Sequence, residues 1–417
     1  MATRRLVWTL IPLLSAVGCG AGSGAPDASP DEDAGPAVDC SARPTDAPEP
    51  RGEVNGVLDA ARGRIVAFGG DIAAPVDCRP MDEFVSEVWA YQLDCDSWEL
   101  LEVPGGPGIR ARHATAHDTA RDRMLVFGGR VPDPGVGFQN FDDLWAYDLG
   151  TDTWRSVPTR GIGPSPRSSA IAAYDADRDR LIVFGGNVST SAFSLQGTSS
   201  GYALDLESGE WTEIAPTGDA PGPRLFHGSV VAGDRLYVYG GTPSFGGPFY
   251  GDLWALDLTT DTWRRIDDGE GTAPDARFGP ELFLDAERER LIMAMGHDVG
   301  PPTGPGNLND VWAFDLRSEA WSLLQPGDTL DNPDAGFCDF PPDFTMPQDG
   351  APERRYSFVH VQDGTTAFVF GGKTDCGNIN DVWALDLGTA VWTQRRPATG
   401  GEACNRSGRV NCTSLCF

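Results

Sequence analysis

Apolar residues in this chain gather in short runs, several of which end in a glycine pair: IVAFGG at 65–70, MLVFGG at 124–129, LIVFGG at 181–186, LYVYGG at 236–241 and AFVFGG at 367–372. Runs of this length, bounded by glycine and polar turns, predict strands rather than helices. A tight polar turn precedes each run, as in DTARDR at 118–123 and DADRDR at 175–180. After a loop of variable length an aromatic segment follows: DDLWAYDLGTDTWRSV at 142–157, GDLWALDLTTDTWRRI at 251–266 and NDVWALDLGTAVWTQR at 380–395. Its tryptophans recur nine residues apart, as Trp89 and Trp98, Trp145 and Trp154, Trp254 and Trp263, Trp312 and Trp321, and Trp383 and Trp392, with Tyr202 and Trp211 in the third copy. Each copy opens at an arginine (Arg51, Arg110, Arg167, Arg224, Arg277, Arg355), so the pattern predicts six copies of four strands. Continuous apolar runs such as MLVF call for sheets covered on both faces, which a radial stack of sheets provides.

The order of arginine, glycine pair, spaced aromatics and tryptophan resembles the kelch repeat of β-propellers, over residues 51 to about 395. The expected fold is therefore all-β, a single propeller of six four-stranded kelch-type blades spanning 51–395 as one domain, because no blade buries its faces alone. The fifth copy departs from the pattern with Met295-Gly296 in place of Gly-Gly. The resemblance implies that a strand from one chain end can close the ring; the gapless match of EVNGVLDAA to RHATAHDTA favours six self-complete blades.

Residues 1–18 read as a lipoprotein-type signal peptide: Arg4 and Arg5 precede an apolar run from Leu6 to Val17, and Ala16-Val17-Gly18-Cys19 resembles a lipobox, making Cys19 the expected lipidation site. The alternative is an ordinary signal peptide, and export holds either way. Residues 19–50, rich in Gly, Ala, Pro and acids, are expected to form a flexible tether. The implied location is a bacterial cell envelope, at the outer membrane because Gly20, not Asp, follows the cysteine. Eight further cysteines argue for disulfides in an exported protein. Cys338 with Cys376 is the expected pair, while the pairing of Cys40, Cys78, Cys95, Cys404, Cys412 and Cys416 stays open and the Cys-rich tail, 396–417, is expected to be pinned.

The formal charge of -29, with Lys373 as the only lysine, sets nucleic acid aside as a partner and leaves a lipid anchor as the only route to a membrane. Strand alternation puts the loops between second and third strands, and those between blades, on one face. They are long and varied there, and recognition is expected on that face. Its candidate contacts are Phe138, Phe141, Phe193, Phe245, Phe249, Tyr250 and Phe340 with Asp71 and Lys373, for an unidentified protein or glycan partner. The repeated arginines, set against Asp143, Asp252, Asp310 and Asp381, read as one structural ion pair per blade.

An enzyme, carbohydrate-active or oxidative, is the alternative, since kelch propellers include copper-radical oxidases and mutarotases. His113, His117, His227, His297 and His360 are too scattered to compose a copper site, and Glu281, Asp285 and Glu289 read as turn chemistry rather than an iron site. No cofactor, metal or catalytic residue is assigned.

Overall fold

The computed structural model describes residue 40 and residues 46–73, 83–191, 194–215, 219–244, 246–298, 306–327, 350–374 and 377–399. The expectations for the leader, Cys19, the Cys338–Cys376 bridge and the Cys-rich tail lie outside these residues. All of the described residues fall in one of the chain's two compact units, Cys40–Phe417. Among them there is no α-helix and no helix long and apolar enough to cross a membrane; a 3-10 turn lies at Ala60–Arg62.

Each repeat forms an antiparallel sheet of four main strands in chain order. The first strands are Asn55–Asp59, Ala114–Asp118, Ile171–Asp175, Gly228–Ala232, Glu281–Asp285 and Val359–Asp363. No sheet among the described residues takes its main strands from the other end of the chain. The third sheet gains Arg160–Gly161, which runs parallel to Glu210–Ile214. The first strand of sheet one lies beside those of sheets two and six, and sheets two to five follow one another in the same way. This is a β-propeller.

The apolar core is divided into slabs between neighbouring sheets. Val57, Val66 and Phe68 of sheet one pack on Met124, Val126 and Tyr147 of sheet two, and Trp98 of sheet one packs with Phe370 of sheet six. At five of the six junctions the second tryptophan wedges against the aromatic ring that ends the second strand of the preceding sheet, as in Phe370–Trp98, Phe68–Trp154, Phe127–Trp211, Phe184–Trp263 and Tyr239–Trp321; sheet five has Ala294 at that position. Burying both faces of every sheet is what demands continuous apolar runs rather than alternation.

The glycine pair is the seam between sheets. The first glycine has positive φ, and a Cβ there would meet the next repeat's arginine carbonyl at 2.6 Å for Gly69, Gly128 and Gly240. The second glycine donates its N–H to that same carbonyl, Gly129 to Arg167 at 2.9 Å and Gly372 to Arg51 at 2.8 Å. Only glycine permits both the left-handed backbone and this approach. Six left-handed residues two positions after the arginines, Glu53, Arg112, Ser169, Phe226, Gly279 and Ser357, form a collar around the axis. Their amides donate to one another's carbonyls, Arg112 to Glu53 at 3.0 Å, Ser169 to Arg112 at 2.8 Å and Glu53 to Ser357 at 2.9 Å.

Cys40 and Cys95 form a disulfide, which settles one of the open pairings and ties the residues before the first sheet to its outer hairpin.

Candidate functional site

The repeated arginines are the scaffold on which the loop-rich face is built. Each guanidinium reaches the carbonyl of its own sheet's first glycine, as Arg110 Nη1 does to Gly128 at 2.9 Å, or in sheet five that of Met295 at the same position, from Arg277 at 3.1 Å. It also reaches an acid at the head of the third strand: Asp143 at 2.8 Å, Asp252 at 2.9 Å, Asp310 and Asp381. The expected structural pairs are present at all four positions. The first tryptophan of each pair donates its Nε1–H to the same carboxylate, Trp145 to Asp143 at 2.8 Å and Trp254 to Asp252 at 2.6 Å. In sheet one Glu87 takes the acid's place, joining Arg51 and Trp89. In sheet three Ser200 does, and burial without a carboxylate partner pushes the Arg167 pKa down to about 10.

The candidate contacts do not form one exposed patch. Phe138 is buried, stacked parallel to Phe84 at 6.3 Å, with the Arg130 guanidinium 3.6 Å from its ring centre. Asp71 and Lys373, expected at the surface, are instead 2% and 6% exposed. Lys373 Nζ donates to Glu53 at 2.7 Å and to Asp71 at 3.2 Å, and Glu53 also pairs with Arg112. Burial opposes ionisation of Glu53, but Arg112, Lys373 and Arg130 outweigh it and hold its carboxyl well below the usual range. Burial raises Asp71, which has fewer cations around it. The lone lysine reads as a surface charge in sequence because nothing local reveals Glu53, 320 residues away. Phe141 and Tyr250 are half-buried and cover blade arginines, Phe141 over Arg110 at 4.4 Å and Tyr250 over Arg224 at 4.6 Å. Phe249 sits edge-on to Phe278. Phe193, Phe245 and Phe340 lie outside the described residues.

What the structure adds is bracing from loop to loop across sheet boundaries. Asn140 donates its amide to Ser189 O at 3.0 Å, Asn309 to Pro352 O at 3.0 Å, and Asn378 to Asp71 O at 2.9 Å and Ala73 O at 3.0 Å. The hairpin Arg130–Asp133/Gly137–Asn140 is further tied to the next loop through Phe138 N–Thr190 O at 2.9 Å, and Gly197 N reaches Pro243 O at 2.7 Å. Asn140 and Asn378 were legible as the first residue of Asn-x-x-Asp-[Leu/Val]-Trp at 140–145 and 378–383, while Asn309 stands at the third position of the same string at 307–312. Attention to the aromatic half of that string hides them.

A second concavity lies on the axis, a cavity of about 460 Å³ lined by the first strands of the sheets. Side chains cap backbone groups that these edge strands turn toward it: Thr115 Oγ1 donates to Gly56 O at 3.1 Å, and Gln362 both donates to Leu284 O at 2.7 Å and accepts from Leu284 N at 3.0 Å. His113 and His227 are buried against Phe68 and Phe184, and burial, helped by the neighbouring arginine, lowers each to about 3. Among the described residues no three His, Cys, Asp or Glu side chains converge as a metal site. Of the three acids read as turn chemistry, Asp285 ends the first strand of sheet five and binds Arg290 at 2.9 Å, and Glu289 lies in the turn with φ of 51°, but Glu281 instead opens that strand and lines the axial cavity.

The KLHDC2/KLHL20/DRC7 Kelch-repeats domain model matches residues 39–193 and 141–339. Acyl-CoA-binding domain-containing protein 5 of Arabidopsis thaliana is 29% identical over 234 residues, 56% of this chain and 33% of that protein. Kelch domain-containing protein 10 of Homo sapiens is 25% identical over 307 residues, 71% of this chain and 62% of that protein. The Leucine-zipper-like transcriptional regulator 1 homolog of Drosophila melanogaster is 25% identical over 327 residues, 77% of this chain and 29% of that protein. The chain thus spans less than two thirds of each of these relatives. Together with the arginine, glycine-pair and tryptophan geometry, the two overlapping matches identify the chain as a member of the kelch-repeat family.

Proposed function

We propose that the chain is an exported, lipid-anchored six-bladed propeller, residues 51–395, that binds a protein partner through its loop-rich face. The observation that carries the reading is the bracing of neighbouring loops by Asn140, Asn309 and Asn378. A face whose loops are already ordered loses little conformational freedom on docking, so contacts convert more fully into affinity. Membership of the kelch-repeat family, whose propellers generally bind protein partners, supports the choice of partner class. The six sheets, each complete in itself, support the blade count.

The test is cross-linking of the full chain to its partner in envelope extracts, followed by mapping of the linked residues. Cross-links are expected on the loop-rich face, and Val136→Asp, in the exposed tip of the 130–140 hairpin, is expected to weaken binding at least tenfold. Cross-links confined to the short turns of the opposite face, around Thr260 or Glu287, would overturn the assignment. Binding competed away by free glycans would replace protein with carbohydrate as the partner.

A further inference from the structure

The outer hairpin of sheet one, residues 93–96, departs from a pattern that the other five sheets share. In those five, an aspartate at the end of the third strand accepts the backbone N–H of a threonine or serine three positions on: Thr151 to Asp148 at 2.9 Å, Ser208 to Asp205 at 2.6 Å, Thr260 to Asp257 at 3.0 Å, Ser318 to Asp315 at 2.7 Å and Thr389 to Asp386 at 2.7 Å. An aspartate that binds backbone amides just ahead of it closes a tight turn by itself. In sheet one Gln92 stands at the aspartate's position and Cys95 at that of the threonine or serine. The repeat has given up its own turn closure here, and Cys95 is bonded to Cys40 instead. The hairpin is also held from both sides. Leu93 N–H donates to Gly63 O at 2.9 Å, and Arg395 of sheet six reaches Leu93 O and Asp96, each at 2.9 Å.

Two fixed points therefore lie on the chain's way into the propeller, and they belong to opposite faces. The third strand of sheet one starts from the loop-rich face, so the hairpin at its far end, and Cys40 with it, stands on the face of short turns. Pro48 is held at the other end: its carbonyl accepts from Asn380 Nδ2 at 2.8 Å, where the third strand of sheet six begins, and Ala47 packs on the core of the same seam. A five-residue strand is about 17 Å long, and the step from Cys40 to Pro48 reaches up to about 26 Å, so the chain can cover the height of a sheet between the two points. With the disulfide closed, the chain joins the propeller on the short-turn face. With it open, the first fixed residues are Ala47 and Pro48, on the loop-rich face.

We propose that the Cys40–Cys95 disulfide sets how the propeller stands at a membrane, with the short-turn face toward the lipid surface and the loop-rich face away from it. The proposal rests on the reading that Cys19 carries the lipid anchor. An anchor pulls on the folded unit at the point where the chain enters it, and the disulfide moves that point from one face to the other. Surface affinity does not compete with this pull, because a formal charge of -29 keeps the molecule from settling on anionic headgroups. A partner of the loop-rich face then docks from the side remote from the bilayer. The link also makes the orientation depend on export, since such a bond persists in oxidising compartments and is rare in reducing ones.

The test puts a fluorophore on one face at a time of the full lipidated chain, through a non-natural residue at Val136, in the tip of the loop-rich hairpin, or at Asp177, in the turn between the first and second strands of sheet three; both positions are exposed. In vesicles of phosphatidylethanolamine and phosphatidylglycerol that contain an acceptor lipid, energy transfer is expected to be at least twofold greater from Asp177 than from Val136. Cys40→Ser and Cys95→Ser, each checked for an unchanged tryptophan spectrum, are expected to abolish or reverse that ratio. Equal transfer from the two labels in the disulfide-bonded chain, or stronger transfer from Val136, would overturn the orientation even if both serine variants failed to fold. A ratio unchanged in folded Cys40→Ser would overturn the role of the disulfide. Mass spectrometry of Cys19 separates the two readings: an unlipidated chain that stays out of the vesicles overturns the anchor and the orientation together, whereas a lipidated chain with equal transfer overturns the orientation alone.

Discussion

A single carboxylate decides whether each blade arginine is an asset. Arg277 is fully buried, and Asp310 both pairs with it and accepts from Trp312. Asp310→Asn leaves the guanidinium uncompensated and is expected to lower stability by about 3–5 kcal/mol, read by urea unfolding. Ser200→Asp in sheet three is expected to act in the opposite direction, raising the melting temperature, because Arg167 gains the partner it lacks. Two buried groups make stability depend on pH with opposite signs. His227 has its folded pKa lowered to about 3, so below the unfolded value of about 6.5 the unfolded chain binds more protons. Its contribution is complete above pH 6.5 and is lost as pH falls toward 3, at up to about 1.4 kcal/mol per pH unit. Glu281 has its folded pKa raised, so its contribution is complete below the ordinary value and is lost as pH rises through the folded one. Unfolding curves from pH 4 to 8 are expected to show a shallower acid slope for His227→Phe and, for Glu281→Gln, higher relative stability at the alkaline end. Unchanged slopes would refute both assignments.

The hairpin joining first and second strands shows how one sequence string builds two interactions of unequal weight. In Asp118-Thr-Ala-Arg121-Asp-Arg123, Asp118 is buried and binds Arg123 at 2.7 Å within its own sheet, whereas Arg121 reaches out to Asp179 of the next hairpin at 2.6 Å. The first pair is shielded from water and the second is largely exposed, so Asp118→Asn is expected to cost about 3 kcal/mol or more and Asp179→Ser less than about 1 kcal/mol. Raising salt to 1 M should erase the second effect and spare the first. Strings like this were readable because hairpins, glycine pairs and tryptophan pairs are local and repeated, so the strands and their sheets could be placed from sequence. The site was less legible. Phe138 looked like an exposed contact because a loop aromatic says nothing of the arginine and phenylalanine that enclose it. Lys373 and Asp71 were misread for the same reason, since the lysine that pairs with Glu53 and Asp71 comes from the far end of the chain. Met295 was visible as a departure from the repeat, whereas the close approach of the next arginine's carbonyl at the other five seams was not.

At the scale of the molecule, the first and last sheets are joined by contacts of unlike kind, among them the ring packing of Trp98 on Phe370, the backbone bond from Glu53 to Ser357, and the buried charges of Lys373, Glu53 and Asp71. Since every slab of core belongs to two sheets, opening this seam exposes the faces of sheets one and six together and withdraws support from their neighbours. Unfolding is therefore expected to be one cooperative transition, with tryptophan fluorescence and far-ultraviolet circular dichroism giving coincident curves. Trp98→Ala, at a fully buried seam position, is expected to destabilise by about 3–5 kcal/mol and to shift the whole transition rather than split it. The Cys40–Cys95 link lies on the same sheet, and because it closes a loop with a sequence separation of 55, its loss in Cys40→Ser is expected to cost about 2–4 kcal/mol through the unfolded state. If Trp98→Ala instead produced two separate transitions, sheets one and six would be unfolding independently of the rest, and closure of the ring at this seam would have to be abandoned.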